Sequence, residues 1–484
     1  MRPKFELLDH ELIGRILSEA FVLLERHGVK VGDAEALDLV AAAGARAADG
    51  VAFLPRMLVE RSLKSVPREF LLYDREGNRA VHYGGDHVQF DPGSSCLNIL
   101  DPLTEQPRPA MAADLIRLIQ VTEGLPEYAA QSTAMVCNDV PAEMGDWYRL
   151  LLILLHSNKP MVTGAFNART LATMLELLAA DSGGFDQLRS RPRAVFDVCP
   201  SPPLNWSDFA SRNLIKLARH GVPAEMIPMP LAGATAPVTL AGAIVQHAAE
   251  SLAGITIHQL AGPGSPIVWG GAPAIFDMST GNTPMGAIET AMLNVGCAQV
   301  GKFLGLPTHG YLVASDGRCL DAQAGAESAS SALLGALAGI NMISGAGMLD
   351  FLACQSIEKL VMDAEAIASA QRLIAGVQAR TGSLAVESFD SACGTGNFLQ
   401  LKETRARFRE EQHFPSAVTD RSGDPGVPGM LSRARTRVDE LLSSYQPPEI
   451  AAPVRRSLIQ IAEREAKLCG ADPLAGLEVA QSAG

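Results

Sequence analysis

The sequence predicts an α/β chain: a (β/α)8 TIM barrel with an N-terminal cap of helices and short strands and a C-terminal helical extension. Three observations carry this. From about Leu115 short apolar strands alternate with amphipathic helices, and alternating βα units imply a parallel sheet. Seven such strands recur at a spacing of roughly thirty to forty residues, which suits a closed barrel of about 250 residues better than an open sheet. Several strand ends are rich in Gly or polar residues, where a barrel places its chemistry. The boundaries expected are 1–114 for the cap, 115–401 for the barrel and 402–484 for the extension.

In chain order, Asp9 is placed to N-cap a helix whose apolar positions Leu12, Ile13, Ile16, Leu17, Ala20, Phe21 and Leu24 recur at helical spacing, with His27-Gly28 as its stop. Asp33 and Gly44 bracket a second helix. Two or three short strands follow from Phe70 to Phe90, turning at Glu76-Gly77-Asn78. The seven barrel strands are predicted at Ser132–Val136, Pro160–Thr163, Ala194–Val198, Glu225–Met229, Pro266–Trp269, Leu306–Val313 and Ile340–Ile343, with an eighth expected at Asn397–Gln400. The loop from Pro230 to Pro237, opening a helix at Val238, offers either backbone N–H groups for an anion or only a tight βα turn.

Bulk properties exclude several classes. A net charge of −13 argues against nucleic acid, whose phosphates need excess Lys and Arg. Eight cysteines with no C-x-x-C pair indicate neither a disulfide framework nor a zinc ribbon, and reduced thiols in a cytoplasmic protein are the plain expectation. Ser328 to Leu349 carries no charge and has the length of a bilayer span, but its Ala, Gly and Ser content fits a buried helix running into a buried parallel strand. No membrane association is expected. Gly296-Cys-Ala-Gln-Val-Gly301-Lys302 resembles a P-loop but has Phe303 where Ser or Thr should stand, and it lies inside a predicted helix. The histidines do not pair at metal-ligand spacing, so no metal site is expected.

The densest polar segment runs from Gly305 to Glu327, a short buried strand leading through a polar loop into a helix. It collects His309, Tyr311, Asp316, Arg318, Asp321, Gln323 and Glu327. Glu327, Asp321 and His309 are the catalytic candidates; the competing interpretation makes Asp321 an N-cap, Glu327 a surface residue and His309 structural. Gly270, Gly271 and Gly310 stand at strand ends where glycine lets backbone approach a cofactor closely.

Several long motifs stand out: Gly233-Ala-Thr-Ala-Pro-Val-Thr-Leu-Ala-Gly242, Gly270-Gly-Ala-Pro-Ala-Ile-Phe-Asp-Met-Ser-Thr-Gly281, Gly305-Leu-Pro with Asp321-Ala-Gln-Ala-Gly-Ala-Glu327, and Glu358-Lys-Leu-Val-Met-Asp363. In this order they resemble the trimethylamine methyltransferase superfamily. The resemblance extends more weakly over nearly the whole chain. It implies a barrel that moves a methyl group from a methylated amine to the cobalt(I) of a separate corrinoid protein. Members of that family often read Asp-Ser-Lys or Asp-Ala-Lys where this chain has Asp316-Gly317-Arg318, and His where it has Asn397. Trimethylamine-specific members carry pyrrolysine on this strand-end segment, whereas Thr308 to Ser315 here are ordinary residues. The chain also lacks the Asp-x-His-x-x-Gly pattern of cobamide-binding domains, so the corrinoid is expected on a partner and not on this chain.

The implied chemistry is an in-line displacement that needs positioning and a tolerable leaving group. A quaternary ammonium leaves as a neutral amine; trimethylamine needs prior protonation or an electrophile. Quaternary amines such as betaines are therefore the expected substrates. Such a cation has no N–H, so aromatic faces and carboxylates hold it. With only three Trp and six Tyr in the chain, Trp269 and Tyr311 are the cage candidates, with Phe276 behind them. Gln323 and Asp316 complete the expected substrate contacts. The expected partners are a corrinoid protein, a small quaternary amine and further copies of the chain. Three alternatives stay open: a trimethylamine:corrinoid methyltransferase, another barrel enzyme of lyase or isomerase type using Glu327 or Asp316 as base, and a non-catalytic barrel that binds betaine-like ligands or a corrinoid protein.

Overall fold

The computed structural model describes residues 2–167, 169–380, 383–393 and 396–471. Its centre is a ring of eight parallel strands: β1 (Gln89–Pro92), β2 (Gln131–Ser132), β3 (Met161–Gly164), β4 (Ala194–Val198), β5 (Ala224–Met226), β6 (Ile267–Trp269), β7 (His309–Tyr311) and β8 (Met342–Ala346). Ladders join β2 through β6 in sequence order, and β7 pairs with β8 and β8 with β1. Two junctions complete the circle. Trp269 bridges to Thr308 between β6 and β7, and the Ala129 N–H donates to the Phe90 carbonyl at 2.9 Å between β1 and β2.

Seven strands lie where the apolar runs predict them, each within a few residues. The eighth does not. Asn397–Gln400 is turn and irregular chain, and the place is taken by Gln89–Pro92, inside the stretch assigned to the cap. Its four residues Gln-Phe-Asp-Pro carry one apolar side chain and end in proline, so no apolar run marks them. The ring therefore begins at Gln89 rather than at residue 115.

The cap forms as its local signals direct. Helix His10–Arg26 is N-capped by Asp9, whose carboxylate accepts from Leu12 N–H at 2.7 Å, and Asp33 caps helix Ala34–Ala42 in the same way. Phe70–Tyr73 and Arg79–Tyr83 form a hairpin that closes the N-terminal end of the barrel. Leu72, Val81 and Tyr83 pack there against Ala130, Val162, Val195, Val268 and Met342.

Ser328–Leu349 is the end of helix Ala322–Ala338 followed by the buried β8, as its composition suggests. The P-loop look-alike lies within helix Ile288–Phe303. Among the described residues one helix, Leu240–Ala261, is long and apolar enough to cross a membrane, and 83% of that window is buried in the barrel wall. It begins after a Thr239 N-cap rather than at Val238, because Leu231–Ala232 first pairs with Ala274–Ile275. In the extension, Met430–Ser444 packs on Ile357–Ile374 and Ala452–Leu468 on Thr170–Ser182.

Candidate active site

Strand periodicity decides which side chains enter the barrel. Val162, Val195, Val268 and Met342 face inward onto the hairpin plug, so the residues two further on, Gly164, Asp197, Gly270 and Ser344, face inward one layer higher. Register adds Glu225, which aligns with Asp197 on one side and Val268 on the other. His309 and Asp91 reach the same layer, since His309 Nε2 lies 3.0 Å from Ser344 Oγ and Ser344 Oγ 2.6 Å from Asp91 Oδ1.

The layer is a continuous polar chain. Tyr83 donates from the plug to Glu225 Oε2 at 3.2 Å, and Glu225 Oε1 faces His309 Nδ1 at 3.5 Å. Glu225 and Asp197 are register partners on adjacent strands, both facing the interior. Two buried acids so placed favour holding one proton between them. Burial, reinforced by the neighbouring acids, pushes Asp91 and Glu225 well above the usual carboxylate range. Burial raises Asp197 to about 7 and lowers His309 to about 3, which keeps the imidazole neutral. Asp91 Oδ2, Asp197 Oδ1, Glu225 Oε1 and His309 Nδ1 are buried without a hydrogen-bond partner.

Asp197 is the member that reaches the open, C-terminal end and is partly exposed. Above Gly164, a Cβ would stand in ordinary contact with Asp197 Cβ and Phe166 Cζ at 3.5 Å each, so the absent side chain leaves a methyl-sized gap between these two residues; Arg149 Cζ lies 5.8 Å from the Phe166 ring centroid. Phe166 is 56% exposed. Its backbone is fixed: its N–H donates to Asp146 Oδ2 at 2.7 Å, and Asp146 pairs with the buried Arg149, which also holds Ser95 Oγ and the Thr133 carbonyl. Among the described residues no Lys or Arg is ion-paired with Asp91, Asp197 or Glu225, which leaves this layer of acids without a cation of its own.

The residues singled out from the sequence divide. His309 lies in the polar chain, and Tyr311 stands above it with ring centroids 6.3 Å apart. The Tyr311 hydroxyl accepts from Ser94 N–H at 2.8 Å and contacts Met348 Sδ at 2.9 Å. Trp269 is no cage residue. It points outward between β6 and helix Ile288–Phe303, is 1% exposed and donates Nε1–H to the Cys297 carbonyl at 2.9 Å. Alternation explains this, because its neighbours Val268 and Gly270 take the inward positions.

Phe276 is half-buried on the rim beside Ala232. Asp321 is an exposed N-cap that accepts from Gln323 and Ala324 N–H, away from the polar chain. Glu327 holds the loop after β7, accepting from Ser315 Oγ at 2.5 Å and from Asp316 N–H and Gln323 Nε2 at 2.9 Å each. Asp316 in turn accepts from Met285 and Gly286 N–H at 2.7 and 3.0 Å, which ties that loop to the one after β6. These three acids and Gln323 brace the rim.

The three glycines are packed by protein. A Cβ on Gly270 would come 3.1 Å from Glu225 Cγ and 3.2 Å from His309 Nδ1; on Gly271, 2.3 Å from His247 Nε2; on Gly310, 3.0 Å from Ile340 Cδ1. Their role is to admit neighbouring side chains. Among the described residues no three His, Cys, Asp or Glu side chains gather as metal ligands.

Sequence reasoning missed Asp91, Glu225, Tyr83 and Phe166, and marked Asp197 and Ser344 only as polar residues at strand ends. One signal was available: a lone acid inside an apolar strand, as in Ala194-Val-Phe-Asp-Val198 and Ala224-Glu-Met226, must face the interior, since helices cover the outer face.

A family model described as trimethylamine methyltransferase (MTTB) matches residues 1–469. The chain is 30% identical over 467 residues to trimethylamine methyltransferase MttB of Desulfitobacterium hafniense strain DCB-2, covering 94% of each. It is 27% identical over 455 residues to the glycine betaine methyltransferase of Desulfitobacterium hafniense strain Y51, covering 93% of this chain and 94% of that one. The solved structure of the Methanosarcina barkeri monomethylamine methyltransferase superposes with a TM-score of 0.52 over 90% of this chain and 89% of that one, at 11% identity, which shows a shared fold.

Proposed function

Because the chain belongs to the trimethylamine methyltransferase family, we propose that this methyltransferase takes a methyl group from a quaternary amine of the betaine type and delivers it to the cobalt(I) of a corrinoid on a separate protein docked over the strand C-termini. The gap above Gly164, between Phe166 and Asp197, carries the reading. A quaternary ammonium offers no N–H, so it is held by charge and by an aromatic face, and this pair supplies both at the open end of the barrel.

The leaving group supports the same choice. When cobalt(I) attacks a methyl carbon in line, the C–N electron pair stays on nitrogen, and a quaternary amine departs neutral. A tertiary amine would depart as an amide anion unless it were protonated or captured. Thr308 to Ser315, the segment at the end of β7, consists of ordinary residues with no electrophile for that capture. A lyase or isomerase using Glu327 or Asp316 as base has less support, because both Asp316 oxygens accept backbone N–H groups and Glu327 is engaged by three donors.

The test is methyl transfer by the purified chain to cobalt(I) corrinoid, free and protein-bound, with a panel of quaternary amines and trimethylamine, followed by cobalt absorbance. Methylated corrinoid is expected with a quaternary amine and not with trimethylamine. Turnover of trimethylamine alone, or no methylation across a broad panel, would overturn the substrate assignment.

A further inference from the structure

We propose that Asp197 and Glu225 act as one proton-exchanging counter-ion: the pair releases its shared proton when a quaternary cation settles above Gly164, and hands a proton to the amine nitrogen once the methyl group has left. This rests on the quaternary-amine reading above. It goes beyond that reading by assigning charge compensation and proton exchange to two acids that lie outside the densest polar segment of the sequence.

Geometry comes first. Asp197 and Glu225 are register partners on adjacent strands, with both side chains facing the barrel interior. Two acids side by side in that interior, with no cation between them, disfavour double ionisation, so the pair holds one proton when no cation is present. Asp197 is the partly exposed member beside Phe166, and Glu225 is fully buried behind it.

The titratable groups facing the pair are Tyr83 from the hairpin, Asp91 from β1, Cys199 beyond β4 and His309 from β7. None brings a positive charge at neutral pH, and among the described residues no Lys or Arg is paired with either acid. The pair therefore stays half-protonated until a cation arrives from outside. A cation beside Asp197 favours ionisation of both acids.

The chain behind Glu225 lets charge redistribute. When the proton of the pair sits on Glu225 Oε1 it faces His309 Nδ1 across 3.5 Å, a polarity in which His309 Nε2–H donates to Ser344 and Ser344 donates to Asp91. With Asp91 protonated, every donor reverses and Glu225 accepts from His309. The unpartnered Glu225 Oε1 and His309 Nδ1 are the atoms where the two polarities differ.

The step balances as follows. A corrinoid acceptor would supply the electron pair for the new bond to the methyl carbon, and the C–N pair would remain on nitrogen. That lone pair takes the proton of the Asp197 carboxyl, regained from water once the positive charge on nitrogen has gone. The product is then a tertiary ammonium beside a carboxylate, and the pair reprotonates from solvent after it departs.

The experiment is calorimetric titration of the full chain with glycine betaine and with tetramethylammonium, in buffers of different ionisation heat, from pH 6 to 8. About one proton released per cation bound is expected below about pH 7, declining above it, with affinity rising up to tenfold per pH unit over that range. Asp197→Asn and Glu225→Gln should each still bind, with proton release abolished and the pH dependence flattened. If one variant fails to fold, the other carries the comparison. Wild-type binding without proton release, or release that persists in both variants, would overturn this inference and leave the substrate reading intact. Failure of every quaternary cation to bind would overturn both.

Discussion

Glu225 and His309 meet at 3.5 Å, Oε1 to Nδ1, alongside Gly270, whose missing side chain makes room for both. A Cβ at Gly270 would also stand 2.4 Å from the Met226 carbonyl, a backbone atom that cannot rotate away. Gly270→Ala should therefore cost about 1–3 kcal/mol of stability as an overpacked core site, read from the denaturant midpoint at constant slope. It should also lower methyl transfer by displacing Glu225. An unchanged midpoint would mean that the strand shifts freely and that this glycine is not what sets the spacing of the polar chain.

Phe166 and Asp197 flank the same gap but make different contributions. Removing the ring in Phe166→Ala should weaken quaternary-amine affinity about 2- to 5-fold, the equivalent of about 0.5–1 kcal/mol for a solvent-exposed cation–π contact. Because the ring is 56% exposed, folding stability should change little. Phe166→Tyr should retain binding. Equal binding by the alanine variant would remove Phe166 from the site, and the rim aromatic Phe276 would become the next candidate.

The barrel was legible because seven of its strands are apolar runs buried on both faces, which no other element imitates at that spacing. The first strand was not, because Gln89-Phe-Asp-Pro92 has the composition of a loop and is made a strand by pairing with β8. The site was half legible for a similar reason. A cluster of polar residues near one another in sequence drew notice to Asp316, Asp321 and Glu327, which brace a loop through local hydrogen bonds. The acids that meet inside the barrel are Asp91, Asp197 and Glu225, far apart in sequence, the last two each alone in an apolar strand and the first in a strand with no apolar run. Only closure of the ring brings them together. Trp269 shows the limit of a strand-end argument: the end of a strand says how high a side chain stands, and alternation decides whether it faces the axis or the helices.

Glu250 gives the pH dependence a separable component. It is buried in helix Leu240–Ala261, where Oε1 accepts from Leu204 N–H and Gln246 Nε2 while Oε2 has no partner, and burial raises it from 4.5 to about 7. The folded chain then binds more protons than the unfolded chain between about pH 4.5 and 7, so stability from this group is complete below that window and is lost as pH rises through it. The loss is on the order of 3 kcal/mol for a shift of this size. Glu250→Gln should match the wild type near pH 5 and exceed it near pH 8 in denaturant midpoint. Parallel curves across that range would show that Glu250 is ionised in the folded chain. His247, lowered by burial to about 4, acts in the opposite sense: unfolded chains take up its proton below about pH 6.5, and stability falls on acidification.

Lys359 and Asp363 form an ion pair at 2.6 Å on helix Ile357–Ile374, almost fully buried, and each also holds a strand end. Lys359 Nζ donates to the Val313 carbonyl at 3.1 Å and to Ser328 Oγ at 2.7 Å, and Asp363 Oδ2 accepts from Gly347 N–H at 2.8 Å. Val313 needs such a clamp, because its φ of +65° puts a β-branched residue in the left-handed region, at a cost of about 1–3 kcal/mol. Lys359→Met should destabilise by about 3–5 kcal/mol, since it leaves a buried carboxylate without its partner. Pairing it with Asp363→Leu should restore much of that stability, because the apolar pair carries no unpaired charge. Activity should stay low in the double variant, because the Val313 carbonyl and the Gly347 amide have lost the groups that fix the ends of β7 and β8 around Tyr311. Denaturant midpoints and methyl-transfer rates on the two single variants and the double complete the cycle. If activity returned along with stability, Lys359 would be a packing residue and the left-handed turn at Val313 would hold without it.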